Sequence, residues 1–403
     1  MTAHDAITQG PRAGSNWPAE RETYDDPHTG ARVTRLTSYP NADDYHLYFT
    51  EDGWYDDGRR LLFRSDRTGS RQLFSIDLQS GLITQVTDMD DFQGQTTIDH
   101  ESSVAYFWVD EKLVRFDLDR LRATGVIYEV PEGYDPGSMD VNADGSVVYA
   151  SIVEADVELP GEEPMMDEMM AARPHVQLLS VPTDGGDPER LYEEDRWINS
   201  HINASPTAPE RFMFCQEGPW DAVEHRIWVF DASSGDTWKV REVPEAAGIG
   251  HEYWMADGER IGYHGSMRDP QGRAKAETPE PFAGSARYDD TDYREADLPD
   301  SVYALTHTHA NSPELLVCDG SFTNVPYNIA YRWNDASEEY EGPRCLATVD
   351  WNEGSPHPHS RFSPDGSQVL FDSDRYDGSS NLYLVDVPAF ESLPEYEPSE
   401  WDR

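Results

Sequence analysis

Residues 362–386 read FSPDGSQVLFDSDRYDGSSNLYLVD, in which two apolar runs follow Pro-Asp-Gly and Asp-Gly turns. Residues 57–77 carry the same order near the start of the chain: Asp57-Gly58, then Leu61–Asp66, a Gly-containing turn, and Gln72–Asp77. Short apolar or alternating runs between Gly-containing turns are typical of antiparallel β-strands. The two stretches therefore predict two copies of one β-sheet unit.

Five weaker copies lie between these two stretches. Their strand-like runs begin at Val104, Val147, Phe212, Arg260 and Leu315. Seven units of roughly 40 to 60 residues are typical of a β-propeller, in which each unit forms one blade of a few strands. The sequence therefore predicts an all-β protein with the fold of a seven-bladed β-propeller.

The last unit lacks a fourth strand, because Pro388 and an acidic tail follow its third one. A strand-like run that belongs to no unit, Arg32–Leu36, precedes the first unit. If this run pairs with the last unit, it closes the ring and removes two exposed sheet edges. We therefore predict a ring that is closed by an N-terminal strand.

The repeats extend over nearly the whole chain, which we interpret as a single domain of residues 1–403. Residues 1–20 are polar and rich in small residues, and they are predicted to form a loose tail. Two stretches interrupt the repeats and are predicted to be insertions: 155–174, with four methionines and several acids, and 268–300, with Pro and Gly. The first insertion is expected to form a helical flap between strands.

The composition is strongly acidic, with a formal net charge of −47. Only Lys112, Lys239 and Lys275 are lysine, and the other basic residues are arginine. High charge with few apolar residues would predict disorder, but 11 Trp, 21 Tyr and 14 Phe fall in strand-like runs. Because high salt screens repulsion between carboxylates, we predict adaptation to high salt. The sequence shows no basic patch for nucleic acid or an acidic membrane.

Three cysteines, Cys215, Cys318 and Cys345, lie in or beside strand-like runs. Because three is an odd number of cysteines, the sequence predicts no disulfide framework, which fits a reducing compartment. Residues 1–30 lack the apolar core of a signal peptide, and no run reaches transmembrane length. We therefore predict a soluble cytoplasmic protein, and the sequence indicates no particular oligomeric state.

Several of the 13 histidines open successive units. His357 and His359 lie two residues apart, so that on an extended segment their side chains project to the same side. Two neutral imidazoles on one side can bind one divalent metal ion, although the prolines around them would also suit a rigid strand entry. The histidines at the equivalent place in other units are His46, His201, His251, His307 and His309. This recurrence favours a functional site over chance placement.

Four motifs resemble those of the oligogalacturonate lyases, a family of seven-bladed propeller pectin lyases. They are Tyr24–Thr37, Glu217-Gly218-Pro219, His251–Trp254, and His357–His359 before Phe362–Asp365. The resemblance covers nearly the whole chain. It implies a lyase that acts on short pectin-derived oligogalacturonides and leaves 4,5-unsaturated uronate products.

The resemblance also implies one bound divalent metal ion, with Mn²⁺ as the expected metal. The family's ligands carry over onto His309, His357 and His359, with His307 as an alternative to His309. The family's fourth ligand is a glutamine, and its position here is Gly354. Glu353 or water would have to replace it, or the coordination position stays open.

The family's catalytic base carries over onto His251, and its arginine for the substrate carboxylate carries over onto Arg226. Gln216 stands where the family often has histidine, and we predict that it contacts the substrate together with His46 and His201. β-Elimination on a uronate removes the C5 proton, which is α to the carboxylate. A cation and an arginine on that carboxylate stabilise the anionic intermediate, and a neutral imidazole takes the proton.

Two other functions stay open at the level of the sequence. A non-catalytic TolB-like propeller scaffold would share the Asp-Gly turns, but it would not need the histidines. A hydrolase that acts on uronides would use paired carboxylates, and 78 acidic residues are compatible with it. A serine peptidase is excluded, because no Gly-x-Ser-x-Gly motif occurs in the sequence.

Overall fold

The structure, a computed structural model, describes residues 7–155, 171–195, 197–218, 223–242, 247–267, 281–298, 307–319, 326–349 and 357–396. The chain divides into two compact units. Unit 1 comprises Met1–Ser15 and Gln85–Glu245, and unit 2 comprises Asn16–Thr84 and Ala246–Arg403. Within the described residues, no helix has the length and apolar character needed to cross a membrane.

The first part of the chain supplies the first sheet, which we call blade 1, and two strands of the last sheet. The strands are β1 (Asn16–Trp17), β2 (Glu22–Asp25), β3 (Arg32–Arg35), β4 (Asp44–His46), β5 (Trp54–Tyr55), β6 (Arg60–Ser65), β7 (Gln72–Asp77) and β8 (Ile83–Gln85). Blade 1 has the order β1-β8-β7-β6-β4, and β5 pairs with β6. Its inner strands are apolar because they pack against another sheet of unit 2: Leu61 and Phe63 share a core with Leu370 and Leu384.

Unit 1 contains three sheets of four antiparallel strands, blades 2 to 4. Blade 2 contains β9 (Phe92–Asp99), β10 (Val104–Val109), β11 (Lys112–Asp117) and β12 (Arg122–Glu129). Blade 3 contains β13 (Tyr134–Val141), β14 (Val147–Glu154), β15 (Val176–Pro182) and β16 (Glu189–Glu194). Blade 4 contains β17 (Ile198–Ala204), β18 (Arg211–Glu217), β19 (Ile227–Asp231) and β20 (Asp236–Lys239). Blades 3 and 4 share a core in which Tyr149 packs near Phe212.

Unit 2 continues with blades 5 to 7. Blade 5 contains β21 (Ala247–Trp254), β22 (Arg260–Met267), β23 (Pro281–Arg287) and β24 (Arg294–Asp297). Blade 6 contains β25 (Thr308–His309), β26 (Leu315–Cys318), β27 (Tyr327–Asn334) and β28 (Glu339–Thr348). Blade 7 contains β29 (Arg361–Phe362), β30 (Gln368–Ser373) and β31 (Asn381–Asp386). Seven sheets in chain order confirm the predicted all-β class and the seven blades of a β-propeller.

The N-terminal strand completes blade 7, as predicted. β3 pairs with β31 through Val33↔Val385 and Thr34↔Leu384, and the sheet order is β2-β3-β31-β30-β29. The structure adds one strand to the prediction, because β2 pairs with β3 and forms a fifth, outer strand. The polar sequence of β2 gave no apolar pattern from which this strand could be recognised.

The prediction of a loose tail over residues 1–20 is wrong for most of the described part. In unit 1, the Gln9 amide donates to the Val86 and Leu121 carbonyls at 3.0 and 3.2 Å. In unit 2, β1 pairs with β8. These contacts are hydrogen bonds of backbone and amide groups, which leave no apolar pattern in the sequence.

The predicted insertion 268–300 also needs correction. Its residues 281–287 and 294–297 are β23 and β24, the third and fourth strands of blade 5. Phe282, Ala283 and Ala286 are buried in this sheet, but the small residues between them weaken the apolar pattern. Residues 156–170, which are most of the first predicted insertion, and residues 268–280 of the second lie outside the described residues.

Candidate metal centre and active site

Three histidines of unit 2 converge between blades 6 and 7. His307 precedes β25, and His357 and His359 precede β29. One ring nitrogen of each lies within 4.8 Å of one ring nitrogen of the other two. The ring centroids of His307 and His359 are 4.3 Å apart, and that of His357 is 5.5 and 5.6 Å from these two. We call these residues the histidine triad, and its donors are of a type that binds divalent transition metals.

A buried carboxylate, Asp319, orients two members of the triad. Its Oδ2 atom accepts hydrogen bonds from His307 Nδ1 and from the backbone N–H of His359, both at 2.9 Å. Its Oδ1 atom accepts a longer bond from the backbone N–H of His307, at 3.3 Å. Because a carboxylate only accepts, His307 carries its hydrogen on Nδ1 and presents the lone pair of Nε2. Carboxylates hold metal-binding imidazoles in the same way.

The imidazoles of His357 and His359 are kept neutral by their surroundings. Burial lowers the pKa of His357 and lowers that of His359 well below its ordinary value, and the neighbouring His307 lowers both further whenever it is itself protonated. Only a neutral imidazole offers a lone pair to a metal ion. His357 and His359 are therefore in the protonation state that metal binding requires.

The structure corrects the assignment of His309, which lies outside the triad. Its Nδ1 atom accepts a hydrogen bond from the backbone N–H of Phe362 at 3.2 Å, and its ring stacks on Tyr253 with centroids 5.1 Å apart. Burial lowers the pKa of His309 well below its ordinary value, and the charge of Arg361 adds to the shift. His309 therefore packs between blades as a neutral core residue, and His307 takes its place in the group.

His46 is also a buried residue, which contradicts its predicted contact with substrate. Only 2% of its surface is exposed. Its backbone N–H donates to Asp372 at 3.2 Å, and its Nε2 atom lies 3.4 Å from the Pro358 carbonyl. Burial lowers the pKa of His46 to about 3, with the charges of Arg361 and Arg64 contributing. His46 supports the segment that carries the triad, and with His359 and Asp372 it forms a second group of donor atoms.

His251 lies next to the triad, with its ring centroid 4.5 Å from that of His307. It sits on β21 where the pairing with β22 shifts register between Gly250 and Tyr253, and its φ is +53°. Such a bulge turns a side chain out of the regular alternation of a strand. The Nδ1 atom of His251 lies 2.8 Å from Nε2 of His264 on β22.

Unit 1 carries a second polar cluster, built around Glu217 at the end of β18. Arg226 Nη1 donates to Glu217 Oε1 at 2.9 Å, and His201 Nε2 lies 3.4 Å from Glu217 Oε2. The Ser200 hydroxyl and the Cys215 thiol also donate to Oε2, at 3.2 and 3.3 Å. Burial raises the pKa of Glu217, but the bonds from His201 and Arg226 outweigh it and hold the pKa far below its ordinary value.

The predicted substrate contacts of unit 1 differ in their exposure. The side chain of His201 is one-third exposed, at 33%. Gln216 is buried, and its amide donates to the Glu194 carboxylate at 3.2 Å, so that it has a structural partner. Arg226 is buried as well, with its guanidinium bound to Glu217.

Three functional candidates were not recognised in the sequence: Asp319, His264 and Glu217. Asp319 stands in an Asp-Gly pair of the kind that recurs in the repeats, and His264 lies in a strand-like run between Tyr263 and Gly265. Glu217 was noted only as part of the Glu-Gly-Pro motif. Gly354 and Glu353, the positions discussed for the fourth metal ligand, lie outside the described residues.

The sequence is similar to those of known oligogalacturonate lyases. A family model described as oligogalacturonate lyase matches residues 12–287. An oligogalacturonide lyase of Pectobacterium atrosepticum is 28% identical over 400 residues, covering 93% of this chain and 98% of the relative. An oligogalacturonate lyase of Dickeya dadantii is 28% identical over 402 residues, covering 91% and 96%.

Solved structures are similar over the same length. An oligogalacturonate lyase in complex with manganese matches with a TM-score of 0.80 and 26% identity, covering 94% of this chain and 98% of that one. An oligogalacturonate lyase from Vibrio parahaemolyticus matches with a TM-score of 0.80 and 24% identity, covering 94% and 99%. At 24% identity, the similarity to the Vibrio parahaemolyticus structure supports the fold alone.

Proposed function

The chain belongs to the oligogalacturonate lyase family, and on that premise we propose that it cleaves short pectin-derived oligogalacturonides by metal-assisted β-elimination. The products are 4,5-unsaturated uronates. The convergence of three imidazoles beside a fourth histidine is the observation that carries this proposal. Neither a scaffold nor a hydrolase with paired carboxylates needs that arrangement.

We propose that the histidine triad holds one divalent ion, and that this ion is Mn²⁺. The donor set fits, because its nitrogens lie within 4.8 Å of one another and Asp319 fixes the tautomer of His307. The choice of metal rests on the related structure that contains manganese. When bound, the ion supplies a Lewis acid that withdraws charge from the substrate carboxylate. Because Gly354 stands where the family has its glutamine ligand, replacement of that ligand by Glu353 or water, or an open coordination position, stays a prediction.

His251 is proposed to take the C5 proton. Its ring lies 4.5 Å from that of His307, so that a proton acceptor stands beside the metal site. Its left-handed backbone, with φ +53°, turns the side chain out of strand alternation. General-base catalysis by a positioned histidine contributes roughly 10²–10⁴-fold to the rate.

Arg226 is proposed to bind the uronate carboxylate, with His201 as a further contact. The bond from Arg226 to Glu217 at 2.9 Å supports this role, because a guanidinium that is already fixed loses little freedom on binding an anion. The partial exposure of His201 fits contact with a ligand.

The test is the growth of ultraviolet absorbance from the conjugated product on digalacturonate, with and without a chelator. We expect absorbance that a chelator abolishes and added Mn²⁺ restores. New reducing ends without absorbance would instead indicate a hydrolase. Binding of digalacturonate without any product would indicate a scaffold.

We propose that the enzyme works in the cytoplasm and at high salt concentration. Three buried free cysteines suit a reducing compartment, and a net charge of −47 suits high salt, where carboxylate repulsion is screened. The same charge disfavours nucleic acid and acidic membranes as partners. A melting temperature that rises with KCl but not with an equally concentrated neutral osmolyte would support adaptation to salt.

A further inference from the structure

The bond between His251 and His264 has the geometry of a directional hydrogen bond. Nδ1 of His251 and Nε2 of His264 are 2.8 Å apart, the ring centroids are 5.1 Å apart, and the ring planes differ by 17°. The difference between these two distances is about twice the distance from an imidazole nitrogen to the centre of its own ring. The two nitrogens therefore lie close to the line between the centroids, and the rings lie edge to edge in nearly one plane. This contact is an in-plane N–H···N bond and not a face-to-face stack.

Counting protons decides what this bond does to His251. A neutral imidazole carries one N–H, so that one histidine donates and the other accepts. If His264 donates, the hydrogen of His251 sits on Nε2, and that nitrogen cannot take a proton. If His251 donates from Nδ1, its Nε2 atom keeps a lone pair. A catalytic base at His251 therefore requires that Nε2 of His264 is the acceptor.

The surroundings hold His264 in place for this task. It lies in the middle of β22, paired with Gly250 on one side and with Ala283 on the other. Only 4% of its surface is exposed, so that its ring has little room to turn. The bulge at His251 is on the strand directly opposite, which brings the two rings into one plane.

We propose that His264 is a positioning residue. It accepts a hydrogen bond from Nδ1–H of His251, and it thereby fixes the tautomer and the ring direction of His251 while Nε2 of His251 takes the C5 proton. This inference rests on the proposed role of His251 as the base. On protonation the bond becomes charge-assisted and strengthens. Serine hydrolases use a carboxylate in the equivalent role. A neutral imidazole orients the base without placing a further negative charge beside an anionic substrate.

The kinetic test compares His264→Leu, which removes the acceptor, with His264→Gln, whose amide oxygen can reach the place of Nε2. For His264→Leu we expect kcat to fall by about 10²-fold or more, with KM within about twofold and Mn²⁺ stoichiometry unchanged. His264→Gln should recover most of that loss. Parental kcat in the leucine variant would overturn the proposal, and so would equal loss of kcat and metal in both variants.

Two measurements separate this proposal from the proposed function. In the parent protein, ¹⁵N NMR should show the His251 hydrogen on Nδ1, and a hydrogen on Nε2 would overturn the proposal without any variant. In a His251→Ala background, His264→Leu should have no further effect on turnover. If His251→Ala itself keeps parental turnover, the assignment of the base fails, and the role of His264 fails with it.

Discussion

Replacing Asp319 by Asn tests the hydrogen bonds that support the proposed metal site, with almost no change of shape. Oδ2 of Asp319 accepts two bonds of 2.9 Å, from His307 Nδ1 and His359 N, and Oδ1 accepts one of 3.3 Å from His307 N. The asparagine side chain fits best with its amide oxygen at the position of Oδ2, because this placement keeps the two short bonds. Its NH₂ group then faces the backbone N–H of His307, donor against donor.

The size of the effect follows from these contacts. The two short bonds lose their charge assistance, and the third becomes a buried donor without an acceptor, which costs about 1–3 kcal/mol. Loss of an outer partner of a metal-binding histidine commonly lowers metal affinity by about 10- to 100-fold. Since a tenfold change equals about 1.4 kcal/mol, we expect Asp319→Asn to weaken Mn²⁺ binding by about 1.4–2.8 kcal/mol.

The assay is a Mn²⁺ titration by calorimetry, followed by turnover at low and at saturating Mn²⁺. Saturating metal should restore much of the activity, because the ligand atoms themselves are unchanged. The matched control is Asp26→Asn, another buried carboxylate of unit 2, which accepts backbone N–H groups of His28 and Thr29. That variant should lose stability and keep its Mn²⁺ affinity. An Asp319→Asn protein that binds Mn²⁺ within twofold of the parent would refute the assigned ligand set.

Three further predictions concern single positions. His307→Ala should abolish Mn²⁺ binding. His309→Ala should keep the metal and lower the free energy of unfolding by about 2–4 kcal/mol, as for other large-to-small changes in a core. Equal Mn²⁺ contents in the two variants would contradict the proposed ligand set. His251→Gly should be about 1 kcal/mol more stable than His251→Ala in denaturant unfolding, because a left-handed backbone costs an L-residue about 1–2 kcal/mol, and a less stable glycine variant would speak against that strain. Glu217→Gln should lower stability by about 1–3 kcal/mol at pH 7, because Arg226 loses its buried charge partner. In the unfolded chain the pKa of Glu217 is near 4.3, and in the folded chain it is lower. Its contribution is therefore complete above that value and declines as the pH falls towards the folded pKa, so that parent and variant should converge in acid.

The blades were predictable because their information is local. Apolar runs between Asp-Gly turns gave β6, β7, β30 and β31, and the missing fourth strand of blade 7 gave the role of β3. The failures fall where polar backbone contacts replace apolar patterns. Gln9 is held by hydrogen bonds to carbonyls, and β23 buries small side chains that give little periodic signal.

The site was only partly predictable, for a different reason. The residue types and their place at the start of each blade pointed to the histidines, but not to their partners. A period of two puts His307 and His309 on the same side of an extended chain. The structure separates them, because β25 begins only at Thr308 and Asp319 fixes the ring and backbone of His307. Partners such as Asp319 and His264 come from neighbouring strands, so that only the register between strands reveals them.

The left-handed backbone of three histidines links these observations. His201, His251 and His359 have φ of 51°, 53° and 47°, and each belongs to the opening segment of its blade. A conformation that costs about 1–2 kcal/mol per residue persists only where the surroundings hold it. The holding contacts are Glu217 on His201, His264 on His251, and Asp319 on the backbone of His359. Each such residue leaves the alternation of an extended strand, so that its imidazole is not restricted to the two faces of the sheet. Substitution of Glu217, His264 or Asp319 is therefore expected to displace the histidine that each one holds, because the left-handed backbone of that histidine then loses a stabilising contact.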